Sequence, residues 1–343
     1  MTLRVGIYQH PDIPQSFKVY ADNVVANLSG MDIQITPFSG KNDLPKTADV
    51  LWDIRSGGGN PPLEFMLNGP PLVMTVHGFA PMSLSGWEYF KTVKGMLMSR
   101  QYTKEKHARW RALRDGVASV IAVSEFTRGE VIRHAGIPDE KIVVAMHGVD
   151  ATVFYPKKNG SERGYFLHVS NNEPRKNVDR IVSAFQKLEF PATLKLKLPK
   201  GQGKQYAGIK GVEVIDGFLD DGALAKLYQN ACCFVFPSLY EGFGMPILEA
   251  MACGTRVITS NVTACSEVAG DAAMLVDPRS VDHIASAMQV LFDEPGALSS
   301  VHAKGIERAL QFGWRESAWK HAEALHMATQ RAINTKAEVF VNP

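Results

Sequence analysis

Asp-x-Asp occurs nowhere in the 343 residues, so the carboxylate pair that could hold a divalent ion is missing. No Gly-x-Gly-x-x-Gly follows an apolar run, which disfavours a dinucleotide-dependent oxidoreductase. Cysteine is scarce. Cys232, Cys233, Cys253 and Cys265 form neither a Cys-x-x-Cys pair nor a metal-ligand rhythm, and their apolar or small neighbours point to core thiols. No stretch of about 18 uncharged apolar residues is present to cross a bilayer. Leu3–Ile7 already has the pattern of a strand, leaving no basic segment, apolar stretch and cleavage site before it; a cytoplasmic location is expected. Short repeats and low-complexity tracts are absent. The net charge is only +2, which provides no field for nucleic acid or for a bulk membrane surface, and no nucleic-acid partner is expected.

What remains is the composition of a soluble globular protein, 45% hydrophobic and 21% charged. The length suits two α/β domains of roughly 150–170 residues each, hence a cleft. Short β-branched runs at Leu3–Ile7, Ile33–Pro37, Val50–Ile54, Leu72–Val76, Val117–Val123 and Ile142–Ala145 alternate with helical patterns and predict a parallel sheet. Tyr155 to Arg163 has the Pro/Lys/Asn/Gly/Ser composition of an exposed connector, and the hinge is placed there. The rhythm restarts with Tyr165–Val169, Thr193–Leu198, Val212–Ile215, Cys233–Phe236, Arg256–Thr259 and Ala273–Val276, a second doubly wound domain. Its helices are expected near Asn177–Leu188, Leu224–Asn230, Pro246–Cys253 and Ser280–Phe292. The domains are therefore 1–155 and 156–314. The last helical pattern, about 315–343, either extends the second domain or packs back on the first.

The most informative stretch is Phe236-Pro-Ser-Leu-Tyr-Glu241-Gly-Phe-Gly244-Met-Pro246-Ile-Leu-Glu249-Ala-Met-Ala-Cys-Gly254. It follows an apolar strand. Gly242 and Gly244 let the backbone turn sharply and approach a ligand, and Pro246 suits the first position of a helix, where its missing N–H would be unpaired anyway. The free N–H groups and positive dipole end of that helix favour an anion at the carboxyl edge of the sheet. Glu249 is expected in the first turn, and with Glu241 it offers acceptors for sugar hydroxyls. Two glutamates eight positions apart are common by chance; the strand, glycines and proline around them make the pattern specific.

A second segment, His168-Val-Ser-Asn-Asn-Glu-Pro-Arg175-Lys176-Asn177, runs from a strand end into a helix start. Arg175 can bind phosphate oxygens in a fork, Lys176 adds a compact charge, and Asn177 can cap the following helix. In the first half, Val73-Met-Thr-Val-His77-Gly78 places His77 at the end of an apolar strand.

Ser238 to Gly254, with Arg256–Val268 and Gly270–Pro278, resembles the donor-site signature of the family 4 retaining glycosyltransferases, and similarity of pattern extends over roughly Leu72 to Leu291. The resemblance implies the GT-B fold, two Rossmann-like doubly wound domains facing across a cleft. It implies that Glu249 binds the donor ribose, and that Glu241 with Gly242, Phe243, Gly244, Met245, Pro246 and Ile247 addresses the transferred sugar and the phosphates. It assigns Ser170, Asn171, Arg175 and Lys176 to the diphosphate, His77 to the donor sugar or the acceptor, and the segment at Gly217, Phe218 and Leu219 to the base. Many members carry Gly-Arg where this chain has Ser170–Asn171, so one customary arginine is absent and Arg175 takes its place.

The reaction so implied moves a hexose from a nucleoside diphosphate to an acceptor hydroxyl with retention, without a metal or other cofactor. The Pro-Arg-Lys-Asn variant leans towards GDP-mannose, and the acceptor is a glycan or a lipid-linked molecule. From Trp87 to Arg114 a helical stretch mixes basic residues with Trp87, Met96, Leu97 and Trp110, which suits either peripheral contact with the inner membrane face or a solvated helix packed by its apolar side. Alternatives to transfer are a GT-B sugar-nucleotide epimerase and a non-catalytic sugar-nucleotide-binding protein.

Overall fold

Twelve strands form two six-stranded parallel sheets in a computed structural model that describes residues 2–9, 13–56, 58–157, 164–293 and 299–341, with side chains described except at 299–301 and 334–341. The first sheet contains β1 (Leu3–Tyr8), β2 (Ile33–Phe38), β3 (Val50–Ser56), β4 (Leu72–Val76), β5 (Val117–Ala122) and β6 (Ile142–Val144), in the order β2-β1-β3-β4-β5-β6. The second contains β7 (Tyr165–Val169), β8 (Leu194–Leu198), β9 (Val212–Asp216), β10 (Ala231–Phe236), β11 (Arg256–Ser260) and β12 (Met274–Val276), in the order β12-β11-β10-β7-β8-β9. Every expected strand is present, displaced at either end by no more than two residues.

The burial of each strand follows its place in the sheet. Central β4 and β10 are buried along their whole length, because helices cover both faces of a parallel sheet and every side chain must be apolar or small. Edge strand β2 is largely exposed and tolerates Pro37, which has no N–H to donate to a ladder. In β8 the leucines at 194, 196 and 198 point into the core while Lys195 reaches Glu213 on β9 at 3.2 Å. All four cysteines are free and buried, as core thiols should be.

The chain divides into two compact units. One holds the described residues of Met1–Gly86, Val93–Gly148 and Gly313–Pro343; the other holds those of Trp87–Thr92 and Val149–Phe312. The chain thus changes unit between Gly148 and Val149, ahead of the connector expected at 155–163, of which residues 158–163 lie outside the described residues. The last helix, Trp314–Val341, belongs to the first unit, where it packs on β5, β6 and the helix Gln15–Asn27. Gly148 permits this: a Cβ there would stand 2.2 Å from the backbone nitrogen of Trp314. Its side chains lock in through a buried polar chain in which the Tyr20 hydroxyl meets Nε2 of His321 and lies 3.0 Å from Oγ1 of Thr75, which accepts from the Trp52 indole at 2.9 Å.

Helical expectations need two corrections here. The stretch 87–114 is not continuous: it forms Gly86–Phe90 and Val93–Leu113, interrupted where Lys91 takes φ +48°, a backbone region that strains a lysine. Two helices, Thr263–Ala269 after β11 and Ser299–Leu310, are present without having been anticipated from the pattern.

Candidate active site

In the second sheet β7 and β10 are neighbours; β8 and β9 extend from one side of the pair, β11 and β12 from the other. The segments leaving β7 and β10 therefore part in opposite directions and open a crevice at the carboxyl ends of the strands, the place where doubly wound sheets bind ligands. The segment after β7 carries Arg175 and Lys176; the one after β10 carries Glu241. They are tied together. The Leu239 N–H donates to the Arg175 carbonyl at 2.7 Å, Lys176 Nζ to Glu241 Oε1 at 2.7 Å, and Arg175 Nη1 to Glu241 Oε2 at 3.1 Å and to the Tyr240 carbonyl at 3.3 Å.

Glu241 is only 6% exposed. Burial opposes its ionisation, but Lys176 and Arg175 outweigh burial and hold its carboxyl below the usual range. Burial, and then the neighbouring guanidinium, push the Lys176 ammonium down, with Glu241 acting against both. For Arg175 burial is outweighed by Glu241 and Glu173, and its pKa rises. Two cations are thus fixed on one buried carboxylate. A second carboxylate, Glu173, accepts from Arg175 Nε at 2.7 Å and is half-exposed to water. The Lys176 ammonium also lies 5.2 Å from the centre of the Phe236 ring, at the end of β10.

Beyond Glu241 the chain turns into the helix Met245–Ala252. Gly244 stands at its N-cap with φ +110°, a conformation closed to other side chains, and Pro246 takes the second helical position rather than the first. Glu249 is the fifth residue, so it lies in the second turn and not the first, because the helix begins at Met245, one residue ahead of the expected Pro246. Its Oε2 accepts from the Tyr228 hydroxyl at 3.0 Å, and burial raises its carboxyl to about 7 despite that bond.

Asn177 stands at the N-cap of the helix Val178–Phe185, but its side chain does not cap it. It adopts φ +64°, and its Nδ2 donates instead to the carbonyls of Pro237 at 2.9 Å and Pro278 at 2.7 Å, stitching the β7 segment to those after β10 and β12. Ser170 hydrogen-bonds Nε2 of His168 at 2.7 Å, and Asn171 donates to Glu173 at 2.7 Å. Phe218, 86% exposed, and Leu219 follow β9 and lead to Asp220, which caps the helix Asp221–Asn230 through the Ala223 N–H. Gly242, Phe243 and Ile247 are buried around the turn. His77 belongs to the first unit, where its Nε2 lies 3.1 Å from the Ile54 carbonyl and its ring stacks on Phe17 at 4.1 Å; burial lowers its imidazole to about 3, leaving it neutral.

Three contributors carry no role in the sequence motifs: Glu173 as a second anchor of Arg175, Tyr228 as the partner of Glu249, and Thr263. The last takes φ +61° and accepts the Glu241 N–H at 3.3 Å. Glu173 stood two residues from Arg175 and was the one legible signal.

Two doubly wound parallel sheets in one chain, the second bearing this cationic site at its switch point, have the GT-B architecture of glycosyltransferases. Sucrose-phosphate synthase from Thermosynechococcus elongatus has the same fold, with TM-score 0.73 and 16% identity over 94% of this chain and 98% of that one. So does Anabaena HepE in complex with UDP-glucose, with TM-score 0.70 and 15% identity over 94% and 99%. Residues 152–309 match the family described as glycosyl transferases group 1, and residues 58–153 match glycosyltransferase family 4. The chain belongs to this glycosyltransferase family. O-antigen chain mannosyltransferase B of Escherichia coli is 31% identical over 221 residues, 58% of this chain and 58% of that protein. The chain thus spans less than two thirds of that relative's length.

Proposed function

We propose that this protein transfers a hexose, with retention, from a nucleoside diphosphate sugar to a hydroxyl of a glycan or lipid-linked acceptor in polysaccharide assembly. The observation that carries this is the placement of Arg175 and Lys176 at the switch point between β7 and β10, beside the Gly244 turn that opens a helix N-terminus. In the reaction the bond between the anomeric carbon and the diphosphate oxygen breaks, and its electron pair leaves with the nucleoside diphosphate. The acceptor oxygen bonds to the same face of that carbon and passes its proton to the departing phosphate. Arg175, Lys176 and the N–H groups at the start of Met245–Ala252 stabilise the charge developing on the leaving group. Because Glu241 already fixes both cations, they need no reorganisation as that charge appears.

In this scheme Glu249 accepts from ribose hydroxyls, Glu241 and the backbone of 242–247 address sugar and phosphates, and His77 is assigned to the donor sugar or the acceptor. No metal is required, since fixed cations and backbone dipoles perform the electrostatic role. GDP-mannose is the first donor to try, supported by the mannosyltransferase named among the relatives. A thermal-shift panel of UDP-, GDP- and dTDP-sugars, followed by labelled-hexose transfer with and without EDTA, tests the proposal. A donor at 100 times its dissociation constant stabilises by about 2.7 kcal/mol. Absence of any such shift removes the donor site, and transfer abolished by EDTA and restored by Mg²⁺ or Mn²⁺ removes the metal-free scheme.

A further inference from the structure

In the first unit the helix Trp314–Val341 turns one face to a cavity at the edge of the sheet. With 3.6 residues per turn, Arg315, Trp319, Ala322, Glu323 and His326 fall within about 100° of one another and run along about 16 Å of helix. They form one wall of a cavity of about 820 Å³. The other wall is the end of the helix Gln15–Asn27 and the turn that follows it, from Ser29 to Asp32. Asp32 immediately precedes β2, and its carbonyl accepts the Leu3 N–H at 2.8 Å, where β1 begins. The cavity therefore stands at the amino ends of the strands. His77 follows the carboxyl end of β4, so the length of the sheet separates the two.

The lining is mixed in character. Trp319 is 62% exposed, and among the described residues no ring contact or side-chain hydrogen bond engages its indole. Arg315 and the Asp32 carboxylate likewise have no side-chain partner among the described residues. Glu323 pairs with Lys320 at 2.9 Å, and Asn27 donates to the Asn23 carbonyl at 2.8 Å and keeps its amide oxygen for a ligand. Charges of both signs thus face one concave space, which gives neither a phosphate nor a polycation a net field to follow. The platform is held from behind: on the opposite face of the helix His321 meets the Tyr20 hydroxyl, and Ala318 and Leu325 are fully buried. Asp32 is fixed at φ +52°, a region that aspartate enters more readily than most residues.

We infer that this cavity is a second, non-catalytic site that binds a neutral glycan, a segment of the hexose polymer. A pyranose ring has one flat C–H face and a rim of hydroxyls. The exposed indole takes the face, while the carboxylates, the Asn27 amide and the Arg315 guanidinium accept from and donate to the hydroxyls. An uncharged ligand suits a lining of both signs, and a wall about 16 Å long suits several sugar rings rather than one. The inference rests on the proposed transferase reading and gives its polymer a place besides the transfer site. A chain held here is kept at raised effective concentration for the next transfer.

Electrophoresis of the full chain in native gels cast with α-mannan tests the cavity itself, since binding slows migration. Trp319→Ala removes an exposed side chain and Asp32→Gly keeps the positive φ, so both variants should fold and keep the wild-type affinity for GDP. The wild type should be retarded, and Trp319→Ala should bind mannan at least about tenfold more weakly, with Asp32→Gly also weakened. No retardation of the wild type, or equal retardation of all three proteins, overturns the site. Retardation by dextran alone separates the cavity from the proposed mannosyl product and overturns the tether. A wild type that self-associates through Trp319 in sedimentation velocity, and is not retarded by mannan, gives this face to a second copy of the chain and overturns the glycan. In transfer assays Trp319→Ala should raise KM for mannan and spare kcat, with KM for mannotriose unchanged, because a trisaccharide held in the cavity has no further ring to offer for transfer. An equal rise in KM for both acceptors would put Trp319 in the transfer site and overturn its separate role. Failure of the transferase reading is distinguishable, since it shows as absence of GDP and GDP-sugar binding and of all transfer while the gel comparison stands.

Discussion

Lys176 and Glu241 join the segments after β7 and β10 at 2.7 Å, with Arg175 on the other oxygen of the same buried carboxylate at 3.1 Å. One buried carboxylate therefore holds two cations where the sheet's connections diverge, and half-exposed Glu173 is a second partner of Arg175. A diphosphate brought to this place would meet charges already held in position, and Glu241 is the group whose removal exposes that relationship.

Glu241→Gln should destabilise the protein by about 3 kcal/mol, because it leaves two cations side by side with their buried counter-charge gone. A nucleoside diphosphate supplies the missing anion. The rise in Tm on adding GDP or UDP should accordingly be larger for the variant than for the wild type at equal ligand concentration. Scanning fluorimetry checks this, and an equal or smaller rise in a folded variant means that the diphosphate does not reach Arg175 and Lys176.

Glu249 predicts a pH dependence. Its carboxyl goes from 4.5 in the unfolded chain to about 7 in the folded protein. A raised carboxyl pKa favours the protonated folded form: the associated stability is complete below about pH 4.5 and is lost as pH rises through about 7. Glu249→Gln keeps an oxygen for the Tyr228 hydroxyl and does not titrate. Relative to the wild type it should be equal near pH 4.5 and more stable at pH 8, by roughly 2–3 kcal/mol. It should also bind nucleoside diphosphate more weakly if ribose is the ligand of Glu249. Parallel stability curves from pH 4.5 to 8 would contradict the assigned burial.

The fold was legible because both sheets are parallel and covered on both faces, which writes each strand as a short apolar run such as Leu72–Val76 or Cys233–Phe236. The turn at Gly242–Pro246 was legible for a similar reason: few residues satisfy a sharp backbone turn and a helix start. Helix phase was not, and Glu249 fell one residue further in, into the second turn, since a helix that begins at Met245 shows no acidic or capping side chain to mark its start. Asn177 looked like a cap because asparagine there usually is one; its amide instead bonds carbonyls 60 and 101 residues away, a choice made by tertiary contacts. The pairing of Arg175 and Lys176 with Glu241 links residues 65 and 66 positions apart, and only strand order β10-β7 brings them together.

Asn177 tests that last point through stability. Asn177→Gly keeps the φ of +64° at no steric cost and removes both hydrogen bonds to the carbonyls of Pro237 and Pro278; Asn177→Ala adds left-handed strain to the same loss. Denaturant unfolding should show the glycine variant down by about 1–3 kcal/mol and the alanine variant lower by roughly a further 1 kcal/mol. Equal stability of all three proteins would show that the amide does not hold these segments together.

Lys176 decides whether the switch point is catalytic. If it bound substrate and transition state equally, its removal would raise KM and spare kcat; if it responds to charge developing on the leaving diphosphate, kcat and kcat/KM should fall together. Lys176→Ala leaves Arg175 on Glu241, so the carboxylate keeps one partner and the protein should fold. Loss of one preorganised electrostatic contact commonly costs on the order of 10²–10³ in kcat, and at least about tenfold is expected here. Asn171 provides the complementary test. It donates to Glu173, which also holds Arg175, so an arginine at 171 starts one carboxylate away from the guanidinium already in place. Asn171→Arg should therefore recover part of the turnover lost in Lys176→Ala, and should do so through kcat. A folded Lys176→Ala with wild-type kcat and KM would withdraw the β7 segment from the active site, leaving Lys176 as the structural counter-ion of Glu241 and the donor pocket resting on the Glu241–Glu249 turn alone.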